Sequence, residues 1–177
     1  MKVGTRFLRV FFTNEETRLY TCVNTALRRQ RAYGFRPTAE DLVLGPYIFM
    51  YQLLLLFWVK LEKESKTTYR KMILSKSHQD KYRKGVKFTW LSFVSSSINF
   101  AIAKPFPTVN PDEETCVHPT IFIFDNSCNC GWQPRNIEKF AMYEEEERVY
   151  PAGSQFLVTN RTDENGESRI YLKLLST

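Results

Sequence analysis

Histidine is nearly missing from this chain. Only His78 and His118 occur, and no Cys-x-x-Cys appears among the four cysteines, Cys22, Cys116, Cys128 and Cys130. A zinc site needs Cys and His at short, regular spacings, so a metal centre of that class is set aside. Cys128-Asn129-Cys130 lies in a polar stretch. A disulfide from this pair to Cys116 or Cys22 and ordinary free thiols both remain open, as does the redox compartment. No apolar run has the length of a membrane span. The longest, residues 47–59, is interrupted and reads as a buried helix. The N-terminus shows no long apolar stretch followed by a small-residue cleavage site. The chain therefore reads as cytoplasmic, or as a fragment of a secreted or longer protein. Internal repeats and low-complexity segments are lacking too.

What is present fits a single domain of 177 residues, with residues 1–66 mainly helical and 67–177 mainly β. Phe (14) and Tyr (9) are plentiful, so aromatic packing should dominate the core. The net charge of +6 is unevenly placed. Residues 1–89 hold 18 Lys/Arg against 7 Asp/Glu, and residues 90–177 hold 7 against 12. A basic first half could meet nucleic acid, an anionic membrane face or a phosphate-bearing ligand. A solvated basic surface is the plainer reading.

Helical periodicity begins at Asn14, a plausible N-cap followed by Glu15 and Glu16. Leu19, Val23 and Leu27 form one apolar stripe, and Gly34 stops the helix. Thr38 can cap a second helix that Gly45-Pro46 kinks, and residues 47–61 are apolar nearly all round. Residues 5–12 could make a short lead-in strand. Strand signals then dominate: residues 67–74 with Arg70 inside, 86–94 ending in Ser95-Ser96-Ser97, and 120–124, buried on both faces. Residues 98–103 suit a helical turn before a Pro-rich loop over 105–118. Residues 155–159 and 169–175 are strands around an Asn165-Gly166 hairpin turn. Helices first and short strands afterwards give an α+β domain.

Residues 143–156, YEEEERVYPAGSQF, open on four adjacent glutamates. Such a run is usually a solvated loop. If a strand starts near Glu145, however, Glu145 and Glu147 share one face, and Glu144 and Glu146 the other. A paired carboxylate can stabilise a developing cation while its neighbour handles a proton. Arg70, inside a strand, must meet an anion or reach solvent, and guanidinium suits phosphate. A serine cluster at a strand end can orient a carboxylate. Together the pieces suit a ligand with a pyrophosphate and a ribosyl bond to break.

In order and spacing, Tyr69-Arg70, Phe93-Val94-Ser95-Ser96-Ser97 and Glu145-Glu146-Glu147 followed by Pro151 resemble the arginine-serine-glutamate pattern of the mono-ADP-ribosyltransferases. The resemblance is strongest to their arginine-directed branch. It covers roughly residues 15–176, including LYTCVNTALRR and the closing QFLV and RIYLKLL. It implies N-terminal helices packed on a split mixed/antiparallel β-sandwich of the ADP-ribosyltransferase type. It also implies transfer of ADP-ribose from NAD, with NADP its close analogue, to an arginine of a protein acceptor, with release of nicotinamide and without a metal. Nucleic acid is not an expected partner.

The same resemblance assigns roles. Arg70 would hold the NAD phosphates and brace the site. Ser95 would fix two strands and orient Glu147, and Ser97 would join them in binding NAD. Glu147 would bind the nicotinamide ribose and stabilise the oxocarbenium ion. Glu145 would orient the acceptor guanidinium and take its proton. Phe106, Tyr143 and Tyr150 are the candidates to stack on nicotinamide. Lys71 stands where the family usually has Gly, and it would crowd the cleft or add a phosphate contact; Ser96 stands where Thr is common. The alternatives are an NAD glycohydrolase, with water as acceptor, and an inactive binding module on the same fold.

Overall fold

Apolar and aromatic residues at strand spacing build the larger part of the molecule, and one amphipathic helix closes one side of it. The computed structural model describes residues 19–30, 56–105, 118–141, 145–164 and 166–176. In chain order the elements are α1 (Leu19–Gln30), β1 (Thr68–Leu74), α2 (Lys76–Gln79), β2 (Lys87–Trp90), β3 (Val94–Ser97) and α3 (Phe100–Ala103). They continue with β4 (His118–Asp125), β5 (Arg135–Asn136), β6 (Glu147–Tyr150), β7 (Ser154–Glu164) and β8 (Glu167–Leu174). The lead-in strand over 5–12, the Asn14 and Thr38 caps, the kink at 45–46, most of the 47–61 helix and the loop over 106–117 lie outside the described residues. No helix among the described residues is long and apolar enough to cross a membrane.

Eight strands form one hydrogen-bonded sheet in the order β2-β7-β8-β4-β1-β3-β6-β5. β4 and β8 run parallel, and every other pairing is antiparallel. β1 pairs with β4 along its whole length but with β3 only where Tyr69 meets Ser97. The sheet is therefore split at this seam, with β2-β7-β8-β4-β1 on one side and β3-β6-β5 on the other. Gly166, at φ +77°, turns the β7–β8 hairpin where the sequence places it.

Two cores flank the split. Phe122, Phe124, Tyr150, Phe156, Val158, Ile170 and Leu172 fill the first. Phe124, Tyr150 and Phe156 stack mutually with ring centroids 5.0–5.4 Å apart. Each such pair contributes about 0.5–1.5 kcal/mol beyond its area burial. Val23, Trp58, Phe93, Ile137 and Val149 form the second core, with Tyr20 and Leu27 of α1 packed on it. Val149 and Tyr150 thus serve opposite cores, and β6 is buried on both faces. The expectation for 120–124 holds similarly, with Ile121, Phe122 and Phe124 no more than 1% exposed.

One strand reading needs correction. Residues 86–94 do not form a continuous strand. The chain leaves β2 at Trp90 and re-enters the sheet as β3 at Val94, near the opposite edge. The three serines are therefore β3 itself, not its trailing end. The break occurs because the backbone of Phe93 bonds to a helix instead of a strand. Asn24 Oδ1 accepts from its N–H (2.9 Å), and its carbonyl accepts from the Tyr20 hydroxyl (3.0 Å).

Candidate active site

The seam between β1 and β3 opens into a cavity of about 180 Å³. Its lining includes Tyr69, Arg70, Lys71, Ser95, Ser97, Glu145 and Glu147. All five of the residues singled out as catalytic or NAD-binding thus come together, from three strands and the turn before β6.

Register explains the convergence. β3 and β6 are antiparallel, with Ser95 opposite Val149 and Ser97 opposite Glu147. Each serine hydroxyl then has a separate task. Ser95 Oγ donates to Glu147 Oε1 at 2.6 Å. Ser96 Oγ donates to the Arg148 carbonyl at 3.0 Å. Ser97 Oγ donates to the Glu145 carbonyl at 2.8 Å and accepts from Asn99 N–H at 3.0 Å. The Ser97 hydroxyl is thus used inside the chain, holding the turn that carries Glu145.

The strand of the acidic stretch starts at Glu147, later than strand alternation from Glu145 requires. Glu146 instead takes φ +48°, the left-handed region that non-glycine residues seldom occupy. That kink, with no strand before Glu147, leaves Glu145 facing the same cavity as Glu147. Glu144 lies outside the described residues.

Arg70 donates from Nη1 to the Ser95 carbonyl at 2.6 Å. Its Nε is buried and has no partner among the described residues. A buried guanidinium donor left unpaired is a place for an anionic acceptor. Glu147 is 6% exposed. Burial pushes its carboxyl up to about 7, and the Glu145 charge adds to that, while the Ser95 hydrogen bond and Arg70 pull it back. It is therefore poised between its two protonation states near neutral pH.

Behind the cavity stands a layer that the sequence did not announce. Tyr20, one turn before Asn24 on α1, is half-buried, and desolvation raises its pKa; Arg70 and Glu147 lie within its electrostatic range. Arg28, two turns beyond Tyr20, donates to Ser92 Oγ (3.4 Å) and Thr25 Oγ1 (3.2 Å) and lies within range of Arg70. Arg148 is buried and bonds Glu64 Oε2 (2.9 Å) and Asn136 Oδ1 (3.2 Å), so it fastens β6 to the chain on either side.

Of the aromatic candidates, Tyr150 is corrected. It is fully buried in the first core, its hydroxyl bonded to Thr68 Oγ1 (2.6 Å) and donating to Asn126 Oδ1 (2.8 Å). Phe106 and Tyr143 lie outside the described residues. Among the described residues, the aromatic side chain that lines the cavity is Tyr69, packed edge-on to Phe100 at 5.3 Å. Its position beside Arg70 was the available signal. Lys71 also lines the cavity.

No protein-family model and no curated protein matches the sequence. Solved structures do match by fold. Vis toxin, an ADP-ribosyltransferase from Vibrio splendidus, superposes with a TM-score of 0.78 at 20% identity, over 100% of this chain and 75% of that one. Exoenzyme S from Pseudomonas aeruginosa gives 0.65 at 16% identity, over 98% and 74%. The C3 exoenzyme of Clostridium limosum gives 0.63 at 13% identity, over 97% and 85%. The likeness establishes the architecture: the chain has the fold of the ADP-ribosyltransferases.

Proposed function

We propose that this protein is a mono-ADP-ribosyltransferase that moves ADP-ribose from NAD to an arginine side chain of a protein acceptor. The observation that carries the reading is the Ser95–Glu147 hydrogen bond at 2.6 Å, with Arg70 bonded to the carbonyl of the same serine. One residue thus fixes both an anion-binding cation and a carboxylate beside one cavity. Two of the structural neighbours support the choice of ligands. Vis has been crystallised with agmatine, a guanidine, and exoenzyme S with carba-NAD.

Arg70 binds the pyrophosphate through its unpaired Nε. Arg28, with no carboxylate partner among the described residues, supplies a second guanidinium toward the same charge. Ionised Glu147 accepts from the nicotinamide ribose and faces the positive charge that develops as the bond from ribose to nicotinamide breaks. Nicotinamide leaves as a neutral molecule. A guanidinium is a poor nucleophile until it loses a proton, and Glu145 attracts it and takes that proton as the new carbon–nitrogen bond forms. Ser97 contributes by holding the Glu145 turn.

Incubation with labelled NAD and a mixed protein acceptor tests the reading, with mass spectrometry locating the modified residue. ADP-ribose on arginine is the expected result. Label on another residue type removes the arginine assignment, and nicotinamide release unaffected by agmatine makes the protein a glycohydrolase.

A further inference from the structure

The turn between β4 and β5 carries a second chemical site, remote in sequence from the one above. Cys128 Sγ and Cys130 Sγ lie 3.1 Å apart. Neither is bonded to Cys22, which is exposed on α1. A disulfide bond is about 2.05 Å long, so small side-chain rotations separate the two sulfurs from bonding distance. The turn is held at both ends. Ser127 N–H donates to Asp125 Oδ1 (2.9 Å), Asn126 Nδ2 to the Lys66 carbonyl (2.8 Å) and Gln133 Nε2 to the Asn126 carbonyl (3.0 Å). Both cysteines pack with Trp132 against the first core while staying partly accessible.

The two sulfurs are not equivalent. Arg135, only 3% exposed, donates from Nη2 to the Gly131 carbonyl (3.3 Å). Its Nε and Nη1 have no hydrogen-bond partner among the described residues. Cys130 lies within electrostatic range of this guanidinium, and a negative sulfur there supports the arginine's charge. A buried cation with unpaired donors thus stands on the Cys130 side of the pair. On the other side, burial, the Cys130 sulfur and the Asp125 charge push the Cys128 thiol up to about 11, against a smaller opposing effect of Lys173. Cys128 therefore stays protonated at neutral pH.

We propose that Cys128 and Cys130 form a reversible dithiol–disulfide site for hydroperoxide oxidants, in which Cys130 attacks and Cys128 resolves. The Cys130 thiolate attacks a peroxide oxygen and the O–O bond breaks, which leaves a sulfenic acid on Cys130 and expels hydroxide or alkoxide; this takes up the proton that the thiol released on ionising and leaves as water or alcohol. The Cys128 sulfur then attacks the Cys130 sulfur, its proton goes to the departing hydroxyl, and water leaves as the S–S bond forms. Two electrons pass from the thiols to the peroxide, and a dithiol reductant reverses the change. The reduced pair is also a bidentate ligand for a trivalent arsenical, with both sulfurs bonding arsenic and its oxygen leaving as water.

The test uses the full chain with Cys22 and Cys116 changed to Ser. Hydrogen peroxide should remove two hydrogens from the mass, peptide mapping should place the bond between Cys128 and Cys130, and dithiothreitol should restore both thiols. Phenylarsine oxide should protect both from alkylation. In a further Cys128→Ser variant, peroxide with dimedone should label Cys130. In a Cys130→Ser variant, Cys128 should label about tenfold more slowly, as a protonated thiol does. Peroxide that leaves both thiols free or joins two chains, or equal labelling in the two variants, overturns the proposal.

Discussion

Glu147 answers to two opposing demands. The proposed reaction needs its charge, and burial resists that charge. The folded carboxyl holds its proton up to about pH 7, against an ordinary value of 4.5. The folded state therefore binds more protons than the unfolded chain between these values. The stability this group contributes is fully present below 4.5 and is lost as pH rises through 7. Glu147→Gln should thus stabilise the fold above pH 7 by up to about 3 kcal/mol and change little below pH 4.5. Thermal melts at the two pH values check this, and an equal effect at both contradicts it. The neighbours should move the acidic limb of the pH–rate profile in opposite directions. Ser95→Ala removes a bond that favours the charged form and raises the limb; Glu145→Gln removes a like charge and lowers it. Glu145→Gln should also lose arginine transfer more than NAD hydrolysis, and equal losses would remove its acceptor role. Arg70, Ser95, Glu145 and Glu147 could be singled out in the sequence because their order and spacing resemble a family pattern, while each taken alone reads as an ordinary polar residue. Tyr20, Asn24 and Arg28 were not, because polar residues on an amphipathic helix look alike until the strand they meet is known.

Among the elements, β3 shows best how a helix sets the geometry of the cavity. Its first residues follow Phe93, whose N–H and carbonyl both bond to α1. Strand propensity made residues 86–94 look continuous, since Leu91 and Phe93 suit a strand as well as Trp90 does. What propensity cannot show is that buried Asn24 and half-buried Tyr20 compete for the ladder groups of Phe93. Asn24→Leu leaves that N–H buried without a partner, which should destabilise the fold by about 1–3 kcal/mol. Tyr20→Phe, losing the bond to the Phe93 carbonyl, should cost about 1 kcal/mol or more. Because Ser95 is two residues further on, nicotinamide release should fall with the stability in Asn24→Leu. Denaturant titration and release assays check both effects, and wild-type behaviour of Asn24→Leu in both contradicts the clamp.

At the scale of the whole molecule, the β part of the fold was readable from the strand patterns and the family resemblance implied a split sheet, but the place of the split was not readable. β1 and β3 are neighbours in the sheet but share only the Tyr69–Ser97 pairing. That single contact lets the two parts of the sheet diverge around Arg70, Ser95, Glu145 and Glu147. That these residues meet at one cavity follows the resemblance, but their depth could not be read from the sequence: burial of β6 on both faces is what lifts Glu147 toward 7. The central claim is that this seam breaks the bond between ribose and nicotinamide and passes the sugar to a guanidine. It is tested most directly by measuring ADP-ribosyl-agmatine formed from NAD by the wild-type protein and by Glu147→Gln. The expected result is product from the wild type and a loss of about 10²-fold or more in the variant, the scale of removing one preorganised electrostatic contact. Equal product from both proteins, or none from the wild type, would contradict it.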